Sequence, residues 1–243
     1  MELSGGVRHH EARYRWEKWS YWGAMYRAIL FDLDDTLYDL RLYRTKRLHL
    51  VLPAVLERHP WLDADDLARA LIAEGVFISG LPDFLRQRGV SDEALIAEAH
   101  ANYQRGWFDE IELAEDAAHT FEILRPRFKL GLITNGPVRT QRPKIERFGL
   151  AQYMDVLIVS EEVGVAKPDP AIFMLALERL AVGPAEALFV GDSPEYDLRG
   201  AAAAGLPFVW MNPRHEPLPD DLPRPFAIIE RLAELPPLLE DIG

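Results

Sequence analysis

Two aspartates, Asp32 and Asp34, follow directly on a short apolar run at residues 28–31. That run is typical of a strand buried on both faces of a parallel sheet. Because the two aspartates are two positions apart at a strand end, their side chains leave on the same side. One carboxylate can then attack a phosphorus atom, while the other protonates the leaving oxygen and later deprotonates a water. The pair therefore indicates group transfer through a covalent intermediate.

A cation is needed if two such carboxylates are to accept an incoming phosphate group, because the negative charges repel one another. Mg2+ fits this requirement, since it takes oxygen ligands in an octahedron and bridges to phosphate. We expect Asp192, which follows another apolar run, to be the third protein ligand beside Asp32 and Asp34.

Other polar residues near predicted strand ends would bind the phosphate group itself. Thr134 and the backbone N–H groups of Asn135 and Gly136 can contact phosphate oxygens. Lys167 adds a positive charge that stabilises the nucleophile and the transferring group. Phosphoryl transfer depends mainly on positioning and charge neutralisation, so these residues together predict a phosphoryl-transfer site.

These side chains converge only if the chain alternates strands and helices. The predicted strands are 28–31, 129–134, 155–160, 187–190, 207–210 and 226–229. The predicted helices between the later strands are 114–124, 138–148, 170–180 and 195–204. Repeated β-α units predict an α/β fold with a doubly wound parallel sheet. In such sheets ligands bind at the carboxyl ends of the strands, where the candidate residues lie.

The long stretch at residues 40–108 has a helical pattern throughout, with apolar residues at three- and four-residue spacing. It is too long for an ordinary loop and predicts an inserted helical cap domain. The core domain would then comprise residues 25–39 and 109–243. Residues 1–24 differ in composition, and Met25 precedes the first apolar run as a natural start would. We interpret residues 1–24 as an N-terminal extension that is either disordered or mis-annotated.

Two features near the candidate site have a simpler interpretation than a functional one. Arg41, Arg44 and Arg47 lie at three-residue spacing, which can attract an anion but more simply indicates an exposed charged helix face. Asp169 precedes Pro170 and predicts a helix N-cap rather than a site residue.

The composition excludes several classes of function. The formal net charge is -12, from 27 basic and 39 acidic residues, which is unsuited to nucleic acid polymers and to anionic membranes. There is no cysteine, so disulfides and thiol catalysis are excluded. No apolar run approaches the roughly 20 residues of a membrane span. We expect a cytoplasmic protein whose partner is a small-molecule phosphate ester; the sequence indicates no oligomeric state.

Four segments resemble, in order, the signatures of the haloacid dehalogenase (HAD) superfamily in its phosphatase form. They are FDLDDTL at 31–37, ITNG at 133–136, KPDP at 167–170, and GDS at 191–193 followed by Asp197. The resemblance covers residues 26 to about 210 and implies a Rossmann-like core with a type-one helical cap. Each signature follows a predicted strand, and the combination in one order is far more specific than any one of them.

The resemblance also implies a role for each of the candidate site residues. Asp32 would be the nucleophile and a Mg2+ ligand, and Asp34 the acid/base with its backbone carbonyl on the metal. Asp192 would ligate Mg2+ directly, whereas Asp197 would orient ligands or water. Thr134 and Lys167 would bind the phosphoryl group. Asp35 stands where the family often has glycine, and we expect it to affect the turn geometry and not the chemistry.

The predicted function is Mg2+-dependent hydrolysis of a phosphate monoester on a small soluble metabolite through an aspartyl-phosphate intermediate. A haloacid dehalogenase, a phosphomutase and a non-enzymatic binding module are the alternatives. The dehalogenases of this family generally lack an acid at the Asp34 position and need no metal, so Asp34 counts against that alternative. A phosphomutase would use identical catalytic residues. A nucleoside monophosphate is the favoured substrate, with sugar phosphates and phosphoglycolate as other candidates.

Overall fold

Six strands form one parallel sheet in the computed structural model, which describes residues 26–76 and 78–240. The strands are β1 (Ala28–Phe31), β2 (Lys129–Thr134), β3 (Val156–Val159), β4 (Ala187–Gly191), β5 (Phe208–Met211) and β6 (Ala227–Ile229). They lie in the order β3-β2-β1-β4-β5-β6, and every neighbouring pair is parallel. This is the order of a doubly wound, Rossmann-like sheet, so the predicted α/β fold is confirmed.

The strands are apolar because the sheet is buried on both faces. In β1, Ile29 and Phe31 pack into the core on one face, whereas Ala28 and Leu30 pack into the core on the other. All four side chains are fully buried. Parallel strands of this kind appear in sequence as continuous apolar runs, which is why all six predicted strands are found within one residue of their expected ends.

Glycine is required in the middle of β2. A Cβ atom on Gly131 would lie 2.5 Å from Leu30 Cδ2 and 2.6 Å from Val156 Cγ1, on the two neighbouring strands. We expect Gly131→Ala to lower the free energy of unfolding by about 1–3 kcal/mol, because overpacking forces the sheet apart. Urea unfolding followed by circular dichroism measures the change.

The matched control for this prediction is Gly183→Ala. Gly183 has an ordinary backbone conformation, and a Cβ there would be 3.5 Å from Glu186 Oε2, a normal contact. Equal stability losses for the two variants would contradict the argument from close packing in β2.

The described ranges contain eleven α-helices. They are α1 (Leu40–Val51), α2 (Pro53–Arg58), α3 (Ala64–Ala73), α4 (Leu81–Gln87), α5 (Glu93–Gln104), α6 (Ala117–Leu124), α7 (Val138–Arg147), α8 (Ser160–Val163), α9 (Pro170–Leu180), α10 (Arg199–Ala203) and α11 (Leu235–Glu240). Asp169 caps α9, because its side chain accepts a hydrogen bond from Ala171 N at 2.9 Å, as predicted. None of these helices combines the length and the apolar character needed to cross a membrane.

Helices α1–α5 occupy residues 40–76 and 78–108, and these two ranges contain no strand. Trp107 anchors their packing, with its ring centroid 5.0 Å from that of Tyr43 and 4.9 Å from that of Tyr103. Their apolar residues are continuous with the face of the sheet that carries Phe31. The division into a cap domain and a core domain stays a prediction, and the interpretation of residues 1–24 lies outside the described residues.

The arginine row of α1 is not an exposed charged face, so that interpretation is wrong. Arg47 is only 6% exposed and donates a hydrogen bond to the carbonyl oxygen of Asn102, in the last turn of α5, at 2.7 Å. Arg41 contacts Glu216 and lies 3.6 Å from Asp35. Arg47 is therefore structural, since a cation at a helix C-terminus satisfies its last carbonyl groups.

Candidate active site

The site lies at the carboxyl ends of β1 and β4, where the strand order reverses direction. Phe31 in β1 is paired with Val190 in β4, and the Asp32 N–H continues the pairing by donating to Val190 O at 2.9 Å. Residues that follow these two strands therefore meet, and Asp32 and Asp192 are 160 positions apart in sequence but neighbours in space. Doubly wound sheets bind ligands in the crevice at this switch point.

A buried lysine joins the two sides of the site. Lys167 Nζ contacts Asp32 Oδ1 and lies 2.8 Å from Asp197 Oδ1, and all three residues are no more than 5% exposed. Burial alone would lower the pKa of Lys167, but the charges of Asp197 and Asp32 outweigh it and raise that pKa above its usual value. Lys167 is therefore a fixed positive charge beside the candidate nucleophile.

Asn135 positions this lysine. Its side-chain Nδ2 donates to Lys167 O at 2.8 Å, and its Oδ1 accepts from Lys167 N at 2.9 Å. The amide thus holds the Lys167 backbone from both sides. The sequence predicted that the backbone N–H of Asn135 contacts phosphate, whereas this contact of its side chain with Lys167 was not predicted.

Three carboxylates crowd the same point. Asp32, Asp192 and Asp197 each offer one oxygen within 4.8 Å of the others. Burial, together with Asp197 and Asp34 and against the charge of Lys167, raises the pKa of Asp32 to about 7. Burial and the charges of Asp197 and Asp32 likewise raise the pKa of Asp192 well above its usual range. Such crowding is what a divalent cation relieves, so the donor set fits Mg2+.

Asp197 differs from the other two carboxylates because its oxygens already have partners. Oδ2 accepts a hydrogen bond from Ser193 N at 3.0 Å, while Oδ1 faces Lys167. Gly191 makes room for this side chain, since a Cβ there would lie 2.4 Å from Asp197 Oδ2. These contacts favour an indirect role for Asp197 and leave Asp32 and Asp192 as the candidate ligands.

Thr134 ends β2, next to β1, and carries a hydroxyl without a partner. The residue is 1% exposed, and Oγ1 has no hydrogen bond to any described residue. A buried hydroxyl in this state is costly and is satisfied when a ligand oxygen occupies the site. The neighbouring Gly136 N–H, also expected to contact phosphate, instead donates to Ser160 Oγ at 2.9 Å.

Asp34 is held by three residues that sequence reasoning did not identify. Its carboxylate accepts hydrogen bonds from Lys144 Nζ at 2.6 Å, Tyr38 Oη at 2.5 Å and Gln141 Nε2 at 3.2 Å. Burial raises the pKa of Asp34, but Lys144 and these hydrogen bonds outweigh it, and the net pKa is lowered. The geometry therefore favours the deprotonated, basic form of Asp34. Gln141 and Lys144 are three positions apart on α7, which places them on one helix face.

Asp35 lies in the turn after β1 in a left-handed conformation, with φ of 60°. Its carboxylate accepts a hydrogen bond from Arg41 N at 3.0 Å. Aspartate tolerates this conformation better than most residues, and glycine adopts it without strain. This explains how the position accommodates either residue and agrees with a role in turn geometry.

A cavity of about 690 Å³ opens beside Asp34. Asn135, Gln141 and Lys144 line it from the sheet side, and Arg44 and Trp107 line it from the inserted stretch at residues 40–108. Asp34, the candidate acid/base, thus lies next to a space large enough for a small metabolite.

The sheet order and the carboxylate–lysine centre at its switch point define a Rossmann-like α/β enzyme. The chain belongs to the haloacid dehalogenase-like hydrolase family, whose model matches residues 26–205. The family membership that the four sequence motifs predicted is therefore confirmed, and the protein is a hydrolase of this family.

Individual relatives are similar over most of their length. The chain is 34% identical to the glyceraldehyde 3-phosphate phosphatase of Methanopyrus kandleri over 237 residues, covering 87% of this chain and 99% of the relative. It is 31% identical to the 5-amino-6-(5-phospho-D-ribitylamino)uracil phosphatase YigB of Escherichia coli, covering 87% and 95%. The magnesium-bound HAD-hydrolase YfnB of Bacillus subtilis superposes with a TM-score of 0.70 at 26% identity, covering 88% and 98%.

Proposed function

We propose that the protein is a Mg2+-dependent phosphomonoester hydrolase that acts on a small phosphorylated metabolite through an aspartyl-phosphate on Asp32. The observation that supports this most is the buried contact of Lys167 with Asp32, beside the unpartnered hydroxyl of Thr134. Phosphoryl transfer needs a nucleophile, a nearby positive charge and a donor for the phosphoryl oxygens. The carboxylate, the lysine and the hydroxyl without a partner can supply these three groups. The curated relatives whose names denote phosphatases of small metabolites support the same reaction.

The first half of the reaction forms the intermediate. An oxygen of Asp32 attacks phosphorus while the bond from phosphorus to the ester oxygen breaks. Asp34 donates its proton to that leaving oxygen, which departs as an alcohol. Lys167 and the Thr134 hydroxyl contact the phosphoryl oxygens as their charge redistributes. Asp34 needs a proton for this step, and an arriving phosphate dianion raises the pKa of a neighbouring carboxylate.

The second half returns the enzyme to its starting state. Asp34, now deprotonated, takes a proton from a water, and the resulting hydroxide attacks phosphorus. The Asp32–phosphorus bond breaks, inorganic phosphate leaves, and Asp32 is again a carboxylate. Lys144, Tyr38 and Gln141 hold Asp34 in place for this proton transfer.

Mg2+ would be held by Asp32, Asp192 and the backbone carbonyl of Asp34. When bound, the ion neutralises the phosphoryl oxygens and the crowded carboxylates, which otherwise repel the substrate. Asp197 would hold Lys167 and the backbone of Ser193 in position without contacting the ion. A cytoplasmic location and the absence of nucleic acid or membrane partners stay predictions.

A screen of phosphorylated metabolites with and without metal tests the proposal. After treatment with EDTA, we expect phosphate release to fall to background and to return when Mg2+ is added in excess, because the three carboxylates otherwise repel the phosphate. Released inorganic phosphate is measured for each compound of the panel. Metal-independent phosphate release, or no release from any compound, would contradict the proposal.

A haloacid dehalogenase is the alternative function that an observation favours, and assays with and without EDTA test it as well. The 2-haloacid dehalogenase of Pseudomonas syringae pv. Tomato superposes with a TM-score of 0.60 at 30% identity, covering 90% of this chain and 100% of that protein. Asp34 argues against dehalogenation here, because the dehalogenases of this family generally lack an acid at that position. Chloride release from 2-chloropropionate that persists in EDTA would support the alternative.

A further inference from the structure

The cavity beside Asp34 is cationic, although the whole chain carries a formal net charge of -12. Among the described residues, three that line it are cations, namely Arg44, Arg139 and Lys144, and Asp34 is the single acidic one. Lys144 is neutralised by Asp34, since Lys144 Nζ lies 2.6 Å from Asp34 Oδ1. No further acidic residue of the described ranges lines the cavity to offset the charges of Arg44 and Arg139.

Arg44 differs from the two arginines that flank it on α1. Arg41 is paired with Glu216, and Arg47 donates to carbonyl groups at the end of α5. Arg44 makes no hydrogen bond or ion pair with any described residue, and its Nε is buried without a partner. A buried guanidinium N–H without a partner is costly to the free protein, and Arg44 also lines the cavity, where a ligand can offer an acceptor to the guanidinium group.

The rest of the cavity suits a short carbon skeleton. Leu40, Trp107 and Phe108 form its apolar wall, while Ser79 and Gln104 add neutral polar groups. Trp107 is buried and packed between aromatic rings, so this wall is fixed. A ligand that extends from the phosphoryl site past Asp34 would therefore run along apolar surface and meet Arg44.

From these contacts we infer that the leaving group of the substrate carries a second oxyanion, a carboxylate or a second phosphate, which Arg44 recognises. This inference rests on the proposed function and names the substrate class for the same site. It differs from the nucleoside monophosphate favoured by the sequence, whose leaving group is uncharged. The guanidinium fork suits both oxyanions, because each can accept two parallel N–H bonds.

The reacting phosphoryl group does not account for Arg44. Lys167 and Thr134 already serve that group at the sheet edge, and neither lines this cavity. Arg44 lies instead with Trp107 and Lys144 on the leaving-group side of Asp34. Its charge therefore acts on the part of the substrate that differs between metabolites, which makes it a specificity-determining residue.

Two substrate pairs test the inference by differing in one oxyanion. The carboxylate pair is 3-phosphoglycerate against glycerol 3-phosphate, and the phosphate pair is fructose 1,6-bisphosphate against fructose 6-phosphate. In wild type, kcat/KM should favour the anionic member of at least one pair. Arg44→Gln should lower that anionic-to-neutral ratio roughly 10- to 100-fold, as expected for a charge-assisted hydrogen bond. The pair that responds identifies the oxyanion.

The control variant is Arg69→Gln, which removes the same charge from an exposed residue of α3 that pairs with Asp66. It should retain the wild-type ratio, and circular dichroism checks that both variants fold. A ratio unchanged by Arg44→Gln, or a wild-type preference for the neutral member of both pairs, would overturn the inference.

Calorimetric titration of the four esters separates this inference from the proposed function. Tighter binding of an anionic ester that depends on Arg44, without hydrolysis of any ester, would support the inference and overturn the phosphatase proposal. Hydrolysis with equal affinity for both members of each pair would support the phosphatase proposal and overturn the inference.

Discussion

Asp32→Asn should abolish phosphate release, with a fall in kcat of at least about 10⁴-fold. The amide that replaces the carboxylate has no charge and is a very poor nucleophile, so no aspartyl-phosphate forms. The fold should persist, because asparagine has the same shape and still accepts a hydrogen bond from Lys167. Substitution also removes one of three crowded carboxylates. The measurements are phosphate release and the mass of the acid-quenched protein, which should show a phosphoryl adduct in wild type alone.

A matched substitution checks that the loss is specific to this position. Asp66→Asn makes the same chemical change in an exposed side chain on α3 and should leave kcat and the melting temperature as in wild type. Turnover by Asp32→Asn at a rate close to wild type would remove Asp32 as the nucleophile. A phosphoryl adduct that persists in this variant would assign the intermediate to another residue.

The sheet is predictable from sequence because its strands are buried on both faces. A strand such as β4 must be apolar at every position to meet cores on both sides, and this produces a run that few other structures produce. The crossover rule then makes the strands parallel and places their carboxyl ends together. Asp32, Thr134 and Asp192 could therefore be grouped without any structure.

The surroundings of Asp34 could not be predicted in the same way. Lys144 and Gln141 share one face of α7, but nothing in a single sequence shows which face of that helix meets the end of β1. Tyr38 has the same difficulty, since its contact with Asp34 depends on the turn that includes Asp35. These contacts lower the pKa of Asp34, so the sequence identifies Asp34 as a candidate acid/base but does not show the direction of its pKa shift.

The burial and the contacts of the arginines of α1 could not be predicted from the sequence either. Their three-residue spacing correctly places them near one another on a helix, but spacing carries no information about what packs against that face. In the structure Arg47 caps α5, Arg41 pairs with Glu216 and Arg44 enters the cavity. Identical residues at regular spacing thus acquire three different roles from their tertiary contacts.

The second large effect is expected for Lys167→Met, in both activity and stability. Removal of the cation leaves Asp32 and Asp197 buried without their shared partner, which should lower the free energy of unfolding by about 3–5 kcal/mol. The loss of a fixed charge at the transferring group should lower kcat by about 10²- to 10³-fold. Urea unfolding and phosphate release at saturating Mg2+ measure the two effects separately.

The double variant Lys167→Met/Asp197→Asn distinguishes electrostatics from lost packing. If uncompensated charge causes the instability, removing the second carboxylate should restore much of the lost free energy, because Asp197 is almost fully buried and faces the vacated position. Activity should not return, since neither methionine nor asparagine supplies a cation to the phosphoryl group. Equal destabilisation in the single and double variants would instead attribute the effect to packing of the lysine stem, and wild-type kcat in either variant would remove Lys167 from the mechanism.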